Sequence, residues 1–343
     1  MSPSNLKGVM IGAGYFAQFH AEGWSRTSGA AIVAVADATP GRASEFAAKW
    51  NIPRVDVDAA EMLDREKPDF VDIVTRPEAH LPLTELAASK GIHVISQKPM
   101  APNWQDCLAM VATCKSAGVR LLIHENWRWQ PWYRETKRVM DSGALGTPYH
   151  LAFRHRTGDG LGASPYRLQP YFVQMPRLLV YETLVHHLDT GRYLAGEIDS
   201  LYCQMKRINP VLAGEDCVMI QLSFASGVQG LIDGNRISGK VPSSLALGSF
   251  RVEGDQGMIR CSSSGRLFLT QHGNDETALS YMLPSTGYRG DSIRAAQDHY
   301  VSCLQTGKRC ESEGEEYLKT VAAVEACYES AAKKQVVKIE DRG

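Results

Sequence analysis

Gly12-Ala13-Gly14-Tyr15-Phe16-Ala17 decides how the rest of the chain is read. It follows an apolar run, Val9-Met10-Ile11, with the composition of a short buried strand. It precedes a helical pattern from Phe16 to Trp24. Two glycines and a small residue between strand and helix each have a physical use. Gly12 permits the tight turn, Gly14 lets the backbone approach a pyrophosphate, and Ala17 lets the helix pack close to the sheet. The helix N-terminus offers N–H groups and a partial positive charge to phosphate. Taken alone, the pattern serves a packing turn as well as a phosphate-binding one.

Working outward, strands and helices alternate. Ala31 to Ala36 predicts a second strand ending at Asp37, and Ala38 to Trp50 a helix begun near Thr39-Pro40. Strands at Phe70–Val74, Ile92–Ser96 and Val119–His124 alternate with helices at Asp58–Glu66, Pro77–Ser89 and Asn103–Ala117. This is an α/β pattern, an N-terminal Rossmann doubly wound parallel sheet over residues 1–125. After residue 125 the pattern changes. A helix at Tyr133–Ser142, a strand at Tyr149–His155, a polar loop at Thr157–Pro170 and a helix at Leu178–Ala195 precede a run of strands from Ser200 to Gln271. Helices near Ser292–Thr306 and Gly314–Lys333 close the chain. Residues 126–343 are therefore expected to form a C-terminal α+β domain with a large mixed, mostly antiparallel sheet, for substrate binding and self-association.

Composition agrees with two domains. A chain of 343 residues exceeds one typical domain, and 44% hydrophobic residues suffice for ordinary cores. Lys+Arg 37 against Asp+Glu 38 leaves a net charge of −1, with no basic field for nucleic acid or an anionic membrane. No run of about 18 apolar residues suggests a membrane span. The N-terminus lacks a signal peptide's apolar segment, which predicts a cytoplasmic protein. Cysteines stand at 107, 114, 203, 217, 261, 303, 310 and 327. No pair is C-x-x-C and no Cys/His set has zinc spacing, so reduced, mostly buried thiols and no metal are expected.

Several residues fall where chemistry is expected. Asp37, at the end of the second strand, suits the adenosine ribose hydroxyls and disfavours a 2′-phosphate, so NAD is expected over NADP; Arg42 one turn on argues the other way. Thr75 can cap a helix begun by Pro77, with His80 in its first turn close to the crevice; a plain cap and a packed histidine fit equally. Gln97-Lys98-Pro99 follows the next strand. Lys98 there can donate to a substrate hydroxyl and stabilise alkoxide, or be an ordinary loop lysine. Glu182 and His186 share a face of the predicted helix, with Asp189 on it too and His187 turned away. An intrahelical contact is their bland reading. His124 to Tyr133, with Asn126, Arg128, Trp129 and Trp132, is rich in aromatic faces and polar donors that suit a polyhydroxylated ligand, and equally an aromatic packing cluster.

Together these segments resemble the glucose–fructose oxidoreductase/inositol dehydrogenase (Gfo/Idh/MocA) family over nearly the whole chain. Gly12 to Ala17 matches its GxGxxA turn. Thr75 to His80 is similar to its T-P-x-x-x-H segment with Arg76 inserted, and Lys98-Pro99 to its E-K-P with Gln97 in place of Glu. Asn126 to Pro131 resembles its N-R-R-F-x-P segment. Glu182 to Gly196 resembles its D-x-G-x-H-x-x-D helix, with Glu182 replacing Asp and Leu184 replacing Gly. The resemblance implies an NAD-dependent sugar or polyol dehydrogenase with Lys98, Glu182 and His186 as its catalytic set. It implies that Gly12, Gly14, Tyr15, Phe16, Ala17, Asp37, Arg42, Thr75, Pro77, His80, Gln97 and Lys98 face the cofactor. Asn126, Arg128, Arg156, Asp159, Tyr166, Glu182 and His186 are the candidate substrate contacts. Gln97–Pro99, His124–Glu135 and Met175–Leu188 together are similar to a branch that oxidises D-apiose, a branched pentose, to its lactone. A homodimer or homotetramer through the second sheet is expected. A glycosidase that recycles NAD and a non-catalytic sugar sensor are the alternatives that share the fold.

Overall fold

A computed structural model describes residues 5–238 and 245–339. Met1–Ser4, part of the segment on which the absence of a leader was judged, lie outside the described residues. The chain divides into two units, Met1–Asn126 with Thr286–Lys319 and Trp127–Ser285 with Thr320–Gly343. The break after Asn126 lies next to the expected 125/126 boundary. The return of 286–319 to the first unit was not expected.

In the first unit, six parallel strands form one sheet among the described residues. They are β1 (Leu6–Ile11), β2 (Ala30–Ala36), β3 (Arg54–Asp56), β4 (Phe70–Ile73), β5 (His93–Gln97) and β6 (Leu121–His124). Their order is β3-β2-β1-β4-β5-β6, so the winding reverses between β1 and β4. The carboxyl ends at such a reversal form the ligand crevice of a doubly wound sheet. β4 is buried along its whole length, as expected of a parallel strand covered on both faces. The connecting helices are α1 (Ala17–Trp24), α2 (Arg42–Trp50), α3 (Ala59–Glu66), α4 (His80–Ser89) and α5 (Trp104–Ser116). Asp58 caps α3 and Asn103 caps α5 through their side chains. α2 begins later than the expected Ala38. The Asp37 carboxylate accepts the Thr39 N–H at 2.8 Å, and this local turn holds the segment out of the helix.

The returning segment contains α8 (Ser292–Thr306). It packs on α1 so closely that a Cβ on Gly23 would stand 2.2 Å from Gln297 Oε1. Gln297 Nε2 donates to the His20 carbonyl at 3.1 Å, and Tyr300 Oη to the Ile123 carbonyl at 3.0 Å.

The second unit holds α6 (Pro131–Asp141), β7 (Pro148–Arg156), a π-helical stretch at Leu179–Leu184 and α7 (Val185–Ala195). Then follow β8 (Ile198–Lys206), β9 (Cys217–Phe224), β10 (Gln229–Asn235), β11 (Gly248–Gly254), β12 (Gly257–Cys261), β13 (Leu267–Gln271), β14 (Thr277–Ala278) and β15 (Val337–Lys338). Before β15, α9 (Gly314–Lys333) carries the chain across the division at Lys319. Among the described residues the strands form one nine-stranded sheet, β14-β13-β12-β11-β7-β10-β9-β8-β15. Only β7 and β10 pair in parallel there; the other pairs are antiparallel. β9 alternates buried and exposed residues, the pattern of a sheet with one covered face. α7 lies on that face, where Gly191 allows it near Phe224 and Phe153. Met219, Gln221, Arg154 and Arg251 are exposed on the other face. Among the described residues no helix is long and apolar enough to cross a membrane.

Candidate active site

In the first unit the turn after β1 has the geometry its glycines require. Gly12 has φ +101°, and a Cβ there would lie 2.3 Å from the Val74 carbonyl oxygen. Hydrogen bonds from Gly12 N to Ala36 O and from Val74 N to Ile11 O, each 2.8 Å, stitch the strand ends around it. A Cβ on Gly14 would meet nothing within 4 Å. No side chain caps the N-terminus of α1. The space beside Gly14 and these uncapped N–H groups fit a pyrophosphate. Ala17 is fully buried where the helix meets the sheet. Tyr15 and Phe16 extend the turn with rings set against Phe19, each pair 5.5 Å apart.

Asp37 holds this turn in place. Its Oδ2 accepts the Ala13 N–H at 2.8 Å, and Arg42 lies 3.7 Å from Oδ1. Thr75 does not cap the following turn. Arg76 holds the N-cap position without a side-chain bond, Pro77 begins the turn, and Thr75 Oγ1 donates to its neighbour's carbonyl at 3.3 Å. His80 is buried, with Nδ1 3.1 Å from Met100 O and Nε2 3.3 Å from Thr75 O. Burial holds its pKa below the usual value. The ring is a spacer between two backbone segments, because both nitrogens face carbonyls.

Behind Lys98 runs a buried hydrogen-bonded chain that sequence reasoning missed. Gln97 Oε1 accepts the Lys98 N–H at 2.7 Å, which sets the orientation of the amide. Gln97 Nε2 therefore faces His20 Nε2, at 2.8 Å, as donor. His20 Nδ1 must then carry the hydrogen that reaches Asp72 Oδ2 at 2.8 Å. Trp24 Nε1 donates to the same carboxylate oxygen at 2.6 Å. Gln97, the departure from the family's acid, is the link that ties this chain to the Lys98 backbone. The Lys98-Pro99 bond is cis.

In the second unit His186 stands at the start of α7. Its ring lies flat on Trp127, centroids 4.4 Å apart and planes 4° apart. His187 turns the other way, 3.2 Å from His155 Nδ1, and burial with His186 beside it pushes its pKa down to about 3. The helix bearing Glu182 is not regular as expected. Leu179–Leu184 is π-helical before α7 begins. Glu215 holds its start, accepting the Val180 N–H at 3.0 Å and the Tyr328 hydroxyl at 2.6 Å. Leu184 has a partner in the sheet, since a Cβ on Gly234 would lie 2.8 Å from its methyl carbons. A large residue on the helix is matched by none on β10.

Three of the expected substrate contacts already have partners within the protein. Arg128 gives Nε and Nη2 to the buried Asp189 carboxylate at 2.8 and 2.6 Å, and Thr320 donates to the same group at 3.1 Å. This pair ties the turn at Trp127–Trp129 to α7. Arg156 donates to Asp233 Oδ2 at 2.6 Å across the β7–β10 pair. Asn126 lies in the first unit, buried, its Nδ2 on Ser292 Oγ at 2.7 Å.

Asp159, Tyr166 and Glu182 are brought together, by a residue the sequence analysis did not single out. Arg236, just past β10, donates to Asp159 Oδ1 at 3.0 Å and to Thr183 Oγ1 at 3.1 Å. It lies 3.6 Å from Glu182 Oε2 and 4.4 Å from the Tyr166 ring. Burial alone would raise the Asp159 carboxyl, but the guanidinium holds it below the usual range. Burial pushes the Tyr166 hydroxyl up to about 12 against the pull of Arg236. An arginine directly after Gly234-Asn235, at a strand end, was the available signal.

Residues 6–125 match the model of an oxidoreductase family with an NAD-binding Rossmann fold, and residues 133–260 match the GFO/IDH/MocA C-terminal domain. A protein of Paraburkholderia graminis named D-apiose dehydrogenase is 35% identical over 98% of this chain and 90% of its own. One of the same name from Rhizobium rhizogenes is 35% identical over 99% of both. The crystal structure of an oxidoreductase from Agrobacterium radiobacter, in complex with NAD+, L-tartaric acid and magnesium, superposes with a TM-score of 0.91. It is 34% identical and covers 98% of this chain and 99% of that one.

Proposed function

This chain belongs to the GFO/IDH/MocA family of NAD-binding oxidoreductases, and on that premise we propose that it oxidises the anomeric hydroxyl of D-apiose or a related aldose to the lactone. The observation that carries the reading is the turn at Gly12 and Gly14, open beside an uncapped helix terminus, within a chain alike end to end to named sugar dehydrogenases. The protein is an NAD-dependent sugar dehydrogenase. Gly12, Gly14 and the α1 terminus would hold the cofactor's pyrophosphate, and Asp37 the adenosine ribose. NAD when bound supplies the hydride acceptor.

His186 takes the hydroxyl proton, as the side chain best suited to proton exchange near neutral pH. Its flat contact with Trp127 fixes the ring plane in which that proton is met. Lys98 donates to the same hydroxyl oxygen and stabilises the negative charge that grows there. The Asp72–His20–Gln97 chain supports the backbone from which Lys98 extends. Glu182, 3.6 Å from the Arg236 guanidinium, accepts from a neighbouring sugar hydroxyl. Asp159 and Tyr166, gathered by the same arginine, complete that polar wall.

Self-association to a homodimer or homotetramer is proposed through the exposed face of the nine-stranded sheet, and residence in the cytoplasm goes with the reduced thiols. A panel of aldoses, branched pentoses, inositols and sugar acids, assayed for NAD reduction and repeated with NADP, tests the substrate. NADH formation greatest with D-apiose is expected. Cleavage of a glycoside without net NADH, or bound cofactor with no turnover on any sugar, would overturn the reading in favour of the recycling glycosidase or the sensor.

A further inference from the structure

We propose that His299, Cys303 and Cys310 form a zinc site in the returning segment of the first unit, with a structural role apart from the oxidation. One donor atom from each of the three lies within 4.8 Å of the others. His299 Nε2 and Cys303 Sγ are 3.4 Å apart. A tetrahedral zinc ion, with bonds of about 2.3 Å to sulfur and about 2.0–2.1 Å to nitrogen, needs neighbouring donors roughly 3.5–3.8 Å apart. The His299–Cys303 pair is therefore already near the spacing the ion would impose, and Cys310 lies within 4.8 Å of both.

The chain brings these donors together by packing that does not depend on an ion. His299 and Cys303 stand one turn apart on α8 and share a face. The helix ends at Gly307 with φ +70°, and the chain turns back to bring Cys310 opposite. The Cys310 N–H is held by Glu313 Oε2 at 3.1 Å. Arg120 grips the same carboxylate at 3.1 and 2.5 Å, and Glu313 bridges to Leu122 of β6. The loop is thus anchored on the sheet before any ligand arrives, so little ordering cost attends binding.

The chemistry of the donors selects the ion. Two thiolates and an imidazole suit zinc, whereas magnesium and calcium require oxygen donors. Two thiolates balance the charge of the ion, and the neighbouring Arg120 is already paired with Glu313. Both sulfurs are buried and His299 is half-buried, which leaves one side for entry and for a water as the fourth ligand. Among the contacts the ion would replace are the Glu311 N–H on His299 Nε2, at 3.1 Å, and the Cys303 thiol on the Arg309 carbonyl, at 3.6 Å. The linear spacing of the three residues matches no zinc pattern, so only the fold reveals the set.

The test uses the full-length reduced protein and zinc alone, in competition with a chromophoric chelator. Cobalt(II) in place of zinc reports thiolate ligation through its sulfur-to-metal charge-transfer band. The expected result is one equivalent per chain, with affinity falling at least about 100-fold in both His299→Ala and Cys310→Ser. NADH binding retained by either variant shows that it is folded. The half-buried His299 makes its variant the safer of the two. Equal zinc affinity in wild type and His299→Ala, absence of competition with the chelator, or recovery of Cys303 and Cys310 as a disulfide in protein that takes up no zinc would each overturn the proposal.

Discussion

Alanine at Gly12 and alanine at Gly14 are expected to do different things, and the difference isolates the cofactor role of the turn. At Gly12 the backbone sits at φ +101°, where an L side chain costs about 1–2 kcal/mol. The new Cβ would also lie 2.3 Å from the Val74 carbonyl, so backbone tied by two strand-end hydrogen bonds must move by about 1 Å. Overpacking of that kind costs about 1–3 kcal/mol. Gly12→Ala should therefore lose about 2–5 kcal/mol of stability, together with NAD affinity. Gly14 has no such strain, and a Cβ there meets nothing within 4 Å. Gly14→Ala should leave stability within about 1 kcal/mol of wild type. It should still weaken NAD by about 10–100-fold, because the methyl enters the space assigned to the pyrophosphate. Urea denaturation and NADH fluorescence titration on both variants give the two numbers. A Gly14→Ala protein that binds NADH as tightly as wild type would refute the placement of the phosphates, and an undiminished denaturation midpoint in Gly12→Ala would refute the steric account.

Three further outcomes follow from the packing and charge of each unit. Leu184→Gly should cost about 3–5 kcal/mol through the cavity left over Gly234, and adding Gly234→Val should restore part of it; additive losses in a double-mutant cycle would contradict the pairing. Asp189→Asn breaks a buried bidentate pair with Arg128 and should cost about 3–5 kcal/mol in urea denaturation, against a near-neutral change if the pair were merely peripheral. Glu66 is buried, which alone would raise its carboxyl, but Arg65, Arg54 and Lys7 hold it down to about 2. A depressed acid stabilises fully above its unfolded value, 4.5, and the contribution disappears as pH falls through about 2. Stability measured across that window should therefore decline in wild type, and Glu66→Gln should flatten the decline.

How much was legible depended on whether the deciding contact is local. The parallel sheet was legible because each of its elements carries its own signal: the apolar run of β4, Asn103 before α5, Gly118 after it. Those features act within a few residues and need no partner. The partners of the charged residues were illegible for the opposite reason. Arg128 and Arg156 show a donor in the sequence, but the acceptors that occupy them, Asp189 and Asp233, lie 61 and 77 positions away. The π-helical stretch before His186 is held by Glu215, 35 positions from Val180, so no periodicity over 178–195 could announce it. Arg236 was passed over for the same cause, since its meaning comes from Asp159 and Thr183. The return of 286–319 was hidden as well. An amphipathic helix declares that it has a buried face without naming what covers it, and here Gly23 and Gln297 make that choice.

The most direct test of the central claim is the turnover of Lys98→Ala and His186→Ala with D-apiose, measured beside their NADH affinity. Removing the group that takes the proton, or the one that stabilises the growing negative charge, should lower kcat by about 100-fold or more in each variant. NADH dissociation constants should stay within about twofold of wild type, a difference under roughly 0.5 kcal/mol. Near-normal kcat in either variant, with cofactor still bound, would contradict the assignment of these two residues to the reaction.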